Sequence, residues 1–146
     1  MPKKQTTAMY FPPSQFSHRF GTQFYTIEIT ETRVINDNDT NDTYVVYKFT
    51  VKRGKQSKTI YYRYSEIRQL HEYLCSTNAG AIANLCIFPP KTWFKRLDNK
   101  FISKRKKSLA KYFHQLLSSS RSISNIPCMR RFLQLDNFVV KQWYLE

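Results

Sequence analysis

Two arginines stand at positions where an unpaired guanidinium would be unusual. Arg63 directly precedes Tyr64 and Ser65, where an alternating pattern gives way to a helical one. Arg105 lies four residues before Leu109 on another expected helix, which puts it on the core side of that helix or at its border. A guanidinium in such a place needs an acidic partner or a bound anion, and it can hold a phosphate bidentately. The residues therefore indicate a site that recognises an anion.

Each of these positions also has a plainer interpretation, which the sequence leaves open. Tyr64 can be a core residue with Arg63 on the surface at the end of a strand, and a glutamate from a sheet can pair with Arg105. Trp93 follows a proline-rich loop and can likewise be a core aromatic. For each position the two interpretations predict different burial and different contacts of the side chain.

The charge of the chain is high and unevenly distributed. The 146 residues carry 24 Lys and Arg against 10 Asp and Glu, for a net charge of +14. Segment 91–131 has twelve of the basic residues and one acid, whereas segment 22–47 has five acids and one arginine. With 16 % aromatic residues the chain is not a disordered basic tail, and its length suits one domain. Four lysines form one helical stripe, which is either a solvated face or an attraction for a polyanion: Lys100, Lys104, Lys107 and Lys111.

Catalytic and metal-binding patterns are not evident in the sequence. The three cysteines have no metal-ligand spacing, the three histidines are scattered, and three glycines give little material for a phosphate loop. The acidic segment 37–42 lacks the glycine and distal glutamate of a calcium loop, so we interpret it as a turn. We expect no enzyme activity, no cofactor and no metal, and a cytoplasmic protein with reduced thiols.

Periodicity predicts strands first and helices after them. Alternating residues predict strands near 25–30, 45–51 and 60–64, with a hairpin loop between the last two. Helical spacing predicts a helix capped by Ser65, a long helix from about 98 to 118 and a short one over 127–135. Pro89 and Pro90 require a loop between the first two helices. The fold class is α+β, a three-stranded antiparallel meander packed against a helical subdomain. We divide the chain into a flexible leader (1–21), the domain (22–137) and a tail (138–146).

Three segments in this order resemble the phox-homology (PX) domain. Arg63-Tyr64-Ser65-Glu66-Ile67-Arg68-Gln69-Leu70-His71 is close to that family's Arg-Tyr-Ser-x-Phe-x-x-Leu-His. Phe88-Pro89-Pro90-Lys91 resembles its proline-rich loop, and 101–109 followed by Tyr112 is similar to its basic helix. The ending 129–135 also looks like the closing helix of the family. The chain departs from the pattern at Tyr62, where a second basic residue is common, and at Ile67 in place of Phe.

The resemblance implies binding of phosphoinositide head groups, with phosphatidylinositol 3-phosphate favoured, and recruitment to endosomal membranes in trafficking and protein transport. It implies that Arg63 grips the 3-phosphate and that Tyr64 packs under the inositol ring. Lys91 would contact the 1-phosphate, and Arg105 would bond the 4- and 5-hydroxyls. Trp93 and Phe94 would insert into the bilayer. Four basic residues would add non-specific contact with anionic lipid: Lys95, Arg96, Lys100 and Lys104.

Two other function classes remain open. Basic residues among aromatics also describe a nucleic-acid-binding surface, although these aromatics fall mainly on expected core faces. The fold could also serve as a protein-interaction module with weak lipid binding. We expect a monomer that is peripheral on phosphoinositide-bearing membranes and binds no nucleic acid. We also expect the acidic segment 37–42 to lie away from the bilayer.

Overall fold

The computed structural model of the chain describes residues 7–138. Its strands are β1 (Met9–Tyr10), β2 (Phe24–Asp37), β3 (Asp42–Arg53) and β4 (Gln56–Arg63). Its α-helices are α1 (Tyr64–Ser76), α2 (Gly80–Ala83), α3 (Asn99–Ser119) and α4 (Pro127–Phe132). Single 3-10 turns lie at His18–Phe20, Ile123–Asn125 and Leu135–Asn137. No helix of the described residues is long and apolar enough to cross a membrane.

The sheet has four strands in the order β1-β2-β3-β4. Strands β2, β3 and β4 pair antiparallel, so the predicted meander and the α+β class are confirmed. The added strand β1 pairs parallel to β2, with Met9 opposite Phe24. A two-residue strand is too short to have a detectable period, which is why periodicity predicts three strands rather than four.

One face of the sheet packs against the helices. Phe49 on β3 is fully buried, and its ring meets those of Phe113 on α3 and Phe132 on α4 edge to face at 5.3 and 5.7 Å. The inner face predicted for the long helix is correct, because all five of its residues are buried: Leu109, Tyr112, Phe113, Leu116 and Leu117. This packing fixes which side of α3 faces the sheet.

The helix starts differ from the sequence prediction in one case. Ser65 was expected to cap α1, but the N-cap position is Arg63, whose backbone N–H donates to the Glu66 carboxylate at 2.9 Å. The long helix α3 begins as expected, because the Asp98 carboxylate accepts from the N–H of Phe101 at 3.1 Å. The last helix ends at Phe132, three residues earlier than predicted.

The described part of the expected leader is packed rather than loose. Ala8 is buried, and its N–H and C=O bond the side chain of Asn125 at 2.9 and 3.0 Å. Phe11 packs against Phe20 and Phe24 at ring separations of 5.5 and 5.2 Å. Residues 1–6 of the expected leader and 139–146 of the expected tail lie outside the described residues.

Replacing Asn125 with alanine should destabilise the domain by about 1–3 kcal/mol, because it leaves buried polar groups without partners. The Asn125 amide satisfies both backbone groups of Ala8, and its oxygen also accepts from Arg130 at 2.8 Å. Urea unfolding measures the change. Asn84→Ala removes an exposed amide and serves as the control. Equal stability of the two variants would contradict this account of the N-terminal segment.

Candidate functional site

A cavity of about 190 Å³ lies where the start of α1 meets β3, α3 and the loop before α3. Three of the four residues predicted to bind the head group, Arg63, Tyr64 and Arg105, line it together. They come from three elements, since Arg63 ends β4, Tyr64 begins α1 and Arg105 lies in the second turn of α3. Other side chains of the lining include Tyr44, Lys95, Arg96 and Phe101.

Arg63 is held at the cavity by two groups from the start of β3. Its guanidinium carbon lies 4.0 Å from the centroid of the Tyr44 ring, and its Nη2 lies 3.5 Å from Oδ2 of Asp42. The side chain remains 43 % exposed. A guanidinium that is stacked on a ring yet still open to solvent can accept a phosphate without rebuilding the site.

Arg105 is half-buried, and its partners among the described residues are aromatic rings and a carbonyl rather than the glutamate of the plainer interpretation. Its guanidinium carbon lies 3.8 Å from the Tyr64 ring centroid and 4.6 Å from that of Phe101, and Nη2 donates to the Pro90 carbonyl at 3.0 Å. Among residues 7–138 no carboxylate forms an ion pair with Arg105. Burial lowers the pKa of the Arg105 guanidinium, because its positive charge loses hydration and no described carboxylate compensates for that loss.

Tyr64 joins the start of α1 to the proline-rich loop. Its hydroxyl donates to the Pro89 carbonyl at 2.5 Å, and its ring stacks on Phe88 with centroids 5.7 Å apart. The guanidinium of Arg105 lies over the same ring. The ring therefore carries Arg105 in this structure, and a ligand ring packing on that face would have to move the guanidinium.

Lys91, the fourth residue predicted to contact the head group, does not line this cavity. It is exposed in the proline-rich loop, and it is not among the described residues lining this cavity or the larger one next to it. Its neighbours Pro90 and Thr92 line the larger cavity. Lys91 thus lies beside the site rather than in it.

The larger cavity, of about 370 Å³, lies between the proline-rich loop and α3. Arg96, Lys100 and Lys104 line it, and all three had been assigned to non-specific contact with anionic lipid. Arg105 lines both cavities, so its side chain forms part of the wall between them. Positive charge therefore continues from the Arg63 cavity along the exposed face of α3.

The loop between the prolines and α3 presents two large aromatic side chains to solvent. Trp93 is 97 % exposed and Phe94 is 81 % exposed, so neither is the core aromatic of the plainer interpretation. The basic residues that follow them are ion-paired, Lys95 with Asp42 at 2.6 Å and Arg96 with Asp98 at 3.2 Å. Exposed aromatics flanked by basic residues are typical of surfaces that enter a lipid interface.

Asp42 and Tyr44 lie at the cavity, and the sequence did not single them out. The acidic segment was expected to lie away from the bilayer, but its last residue, Asp42, contacts both Arg63 and Lys95 at the cavity. The turn at Asn41, with φ of 55°, sets Asp42 opposite Asp37 at the first position of β3. Asp42 and Tyr44 are two positions apart on β3, so their side chains lie on the same face of the strand. An acid followed two positions later by an aromatic residue was the sequence pattern that could have indicated this contact with Arg63.

His71 connects the helix α1 to the proline-rich loop. Its Nδ1 lies 2.7 Å from the Tyr112 hydroxyl, and its ring stacks on Phe88 with centroids 4.6 Å apart. Nε2 lies 3.6 Å from the Cys75 thiol. Burial lowers the pKa of His71, so the packed site favours the neutral ring.

Acidification should therefore destabilise the domain through His71. A histidine whose folded pKa is depressed binds a proton more readily when unfolded, so its contribution is full above about pH 6.5 and declines as pH falls. Between about pH 7.5 and about pH 5.5, urea unfolding of the native chain should show a larger loss of stability than unfolding of His71→Gln. Equal losses in the two proteins would contradict this role.

Known proteins similar to this chain share one domain. A family model described as the PX domain matches residues 50–136, more than half of the chain. A designed CISK-PX domain superposes with a TM-score of 0.63 at 29 % identity, covering 74 % of this chain and 97 % of that one. The mouse SNX19 PX domain, in a crystal structure with a bound sulphate ion, has a TM-score of 0.58 at 22 % identity, covering 75 % and 94 %.

Proposed function

Because this chain belongs to the PX domain family of phosphoinositide-binding, membrane-targeting modules, we propose that it recognises phosphatidylinositol 3-phosphate. The observation that carries the proposal is the convergence of Arg63, Tyr64 and Arg105 on one cavity. Arg63 is the group for the 3-phosphate, since its guanidinium is stacked in place yet 43 % exposed. An arginine fork matches phosphate oxygens and forms charge-assisted hydrogen bonds with them.

The inositol ring would lie against Tyr64, with Arg105 bonding the 4- and 5-hydroxyls. Arg105 now rests over the Tyr64 ring and bonds the Pro90 carbonyl, so it must shift from the ring when the head group enters. Because its guanidinium has no carboxylate partner among the described residues, hydroxyl and phosphate oxygens of a ligand can compensate its charge. A phosphate at either ring position 4 or 5 would compete for this space.

Lys91 is proposed as the contact for the 1-phosphate. That phosphate links the head group to the lipid tails, so it remains nearest the membrane and outside a pocket that encloses the ring. An exposed lysine in the loop beside the cavity suits this position. Lysine acts there as a compact point charge and needs no fixed bidentate geometry.

Membrane association is proposed to use two further contributions. Trp93 and Phe94 would insert at the interface, and Lys95, Arg96, Lys100 and Lys104 would attract anionic lipid by about 1 kcal/mol per basic residue near the surface. Stable anchoring generally needs two signals. The head group and the inserted loop would supply them, and we propose that the chain binds endosomal membranes peripherally as a monomer.

The experiment that tests the proposal is a panel of liposomes that each contain one phosphoinositide. Sedimentation with the full chain should show selective binding to phosphatidylinositol 3-phosphate, with liposomes of phosphatidylcholine and phosphatidylserine as the reference. Added RNA should not compete. A steep decrease with salt, efficient competition by RNA and no lipid selectivity would instead indicate a nucleic-acid-binding domain. No binding to any liposome would favour a protein-interaction module.

A further inference from the structure

We infer that the Asp42 carboxylate is an internal competitor for the head-group phosphate, and that it lowers the affinity of the site for every anion that must displace it from Arg63. The inference rests on the proposed phosphoinositide function. Asp42 bridges Arg63 and Lys95, which connects the cavity to the loop that carries Trp93. A phosphate that takes Arg63 must displace this carboxylate.

The geometry gives Asp42 a position next to the proposed phosphate. Its Oδ1 lies 2.6 Å from Nζ of Lys95 and its Oδ2 lies 3.5 Å from Nη2 of Arg63. The hydrogen bond from Lys95 is the main reason that the pKa of Asp42 lies below its usual range, so the carboxylate is ionised at neutral pH. The Asp42 carboxylate therefore already neutralises part of the positive charge that a phosphate ligand would bind.

Asp42 is not required to hold Arg63 in place. The Tyr44 ring lies directly under the guanidinium at 4.0 Å and orients it while leaving its in-plane N–H donors free for a ligand. The ion pair with Asp42, in contrast, joins two side chains that are each about 40 % exposed, and such pairs are weak. Removing the carboxylate should leave the arginine oriented and free its charge for a ligand.

The competition predicts how the site distinguishes anions. A phosphomonoester carries up to two negative charges and three acceptor oxygens, so it can replace a carboxylate on Arg63. The phosphodiester of a bulk lipid such as phosphatidylserine carries one charge and gains less from the exchange. Ligand entry also frees Lys95, which can then reach the anionic surface next to the inserted loop.

The test compares Asp42→Asn with Asp39→Asn. Both variants remove one negative charge from the β2–β3 hairpin. Asp39 is exposed, and the hydrogen bond described for it is donated by its backbone N–H and does not involve its carboxylate. Calorimetry with soluble dibutanoyl phosphatidylinositol 3-phosphate should give about two- to fivefold tighter binding for Asp42→Asn. Binding to phosphatidylserine liposomes should also become tighter, because any anion that contacts Arg63 must displace the same carboxylate. Asp39→Asn should change both affinities little.

A second arm uses the protein without lipid. Carbon-13 NMR of the carboxyl groups should show that Lys95→Gln raises the pKa of Asp42 toward its ordinary range. An unchanged pKa would overturn the inference at its first step. Equal tightening in Asp42→Asn and Asp39→Asn, or weaker binding in Asp42→Asn, would overturn it while the proposed function stands. If the native chain bound no phosphoinositide although the ion pair of Asp42 is intact, both the inference and the proposed function would be overturned.

Discussion

The Arg63→Ala variant should lose at least about 30-fold in affinity for phosphatidylinositol 3-phosphate, because it removes the charge-assisted bonds to the 3-phosphate. The loss should be the same for soluble head group and for liposomes, since the contact lies in the cavity and not at the bilayer. Selectivity among phosphoinositides should disappear with it. Calorimetry with the soluble lipid and liposome sedimentation measure the two quantities.

Arg33→Ala is the matched control for this variant. Arg33 is also an arginine paired with an acid, Glu31, and also lies over a tyrosine ring, that of Tyr61 at 5.0 Å. It lies on β2 and is not among the described residues that line the cavity. The two variants have equal net charge, so equal binding would mean that Arg63 contributes charge to the surface and forms no specific site. Arg63→Lys should retain part of the affinity, because it keeps the charge without the fork.

The Trp93→Ala variant should bind liposomes at least about 10-fold more weakly while binding the soluble head group like the native chain. Trp93 is 97 % exposed, so its removal takes away no packing from the folded domain and should not lower stability. What it removes is apolar area that becomes buried only when a bilayer is present. The combination of an unchanged soluble affinity and a weakened liposome affinity identifies an insertion residue.

Leu85→Ala gives the comparison for Trp93. Leu85 is a large apolar residue that is 84 % exposed, but it precedes the proline-rich loop. If its removal weakens liposome binding as much as the removal of Trp93, insertion does not depend on the loop that follows the prolines. A loss of soluble head-group binding in Trp93→Ala would mean that the loop shapes the cavity instead.

Sequence periodicity predicts the central elements because their buried faces repeat. The meander β2–β4 follows alternating apolar residues, and α3 follows a helical stripe that is buried along its length. Periodicity does not show where a very short strand or a segment held by a distant side chain packs within the domain. Strand β1 is two residues long, and the segment around Ala8 is held by the distant side chain of Asn125.

The sequence singles out two arginines of the cavity but not the acid that contacts one of them. Arg63 and Arg105 are singled out by a strand-to-helix junction and by helical spacing, and both line the same cavity. The contact of Asp42 with Arg63 depends on the length and register of the β2–β3 hairpin, which reaches the cavity by its tip. An arginine resting on aromatic rings also has no one-dimensional pattern, so the sequence left open whether Arg105 meets a carboxylate or a bound anion and did not indicate the rings of Tyr64 and Phe101.

The most direct test of the cavity is an NMR titration of the full chain with dibutanoyl phosphatidylinositol 3-phosphate, observing the side-chain Nε–Hε signals of arginine. The proposed site predicts that Arg63 and Arg105 shift together and saturate with one equivalent, while Arg33 stays unchanged. Shifts confined to residues of the exposed α3 stripe, with Arg63 unmoved, would contradict it and would indicate a charged surface without a head-group pocket.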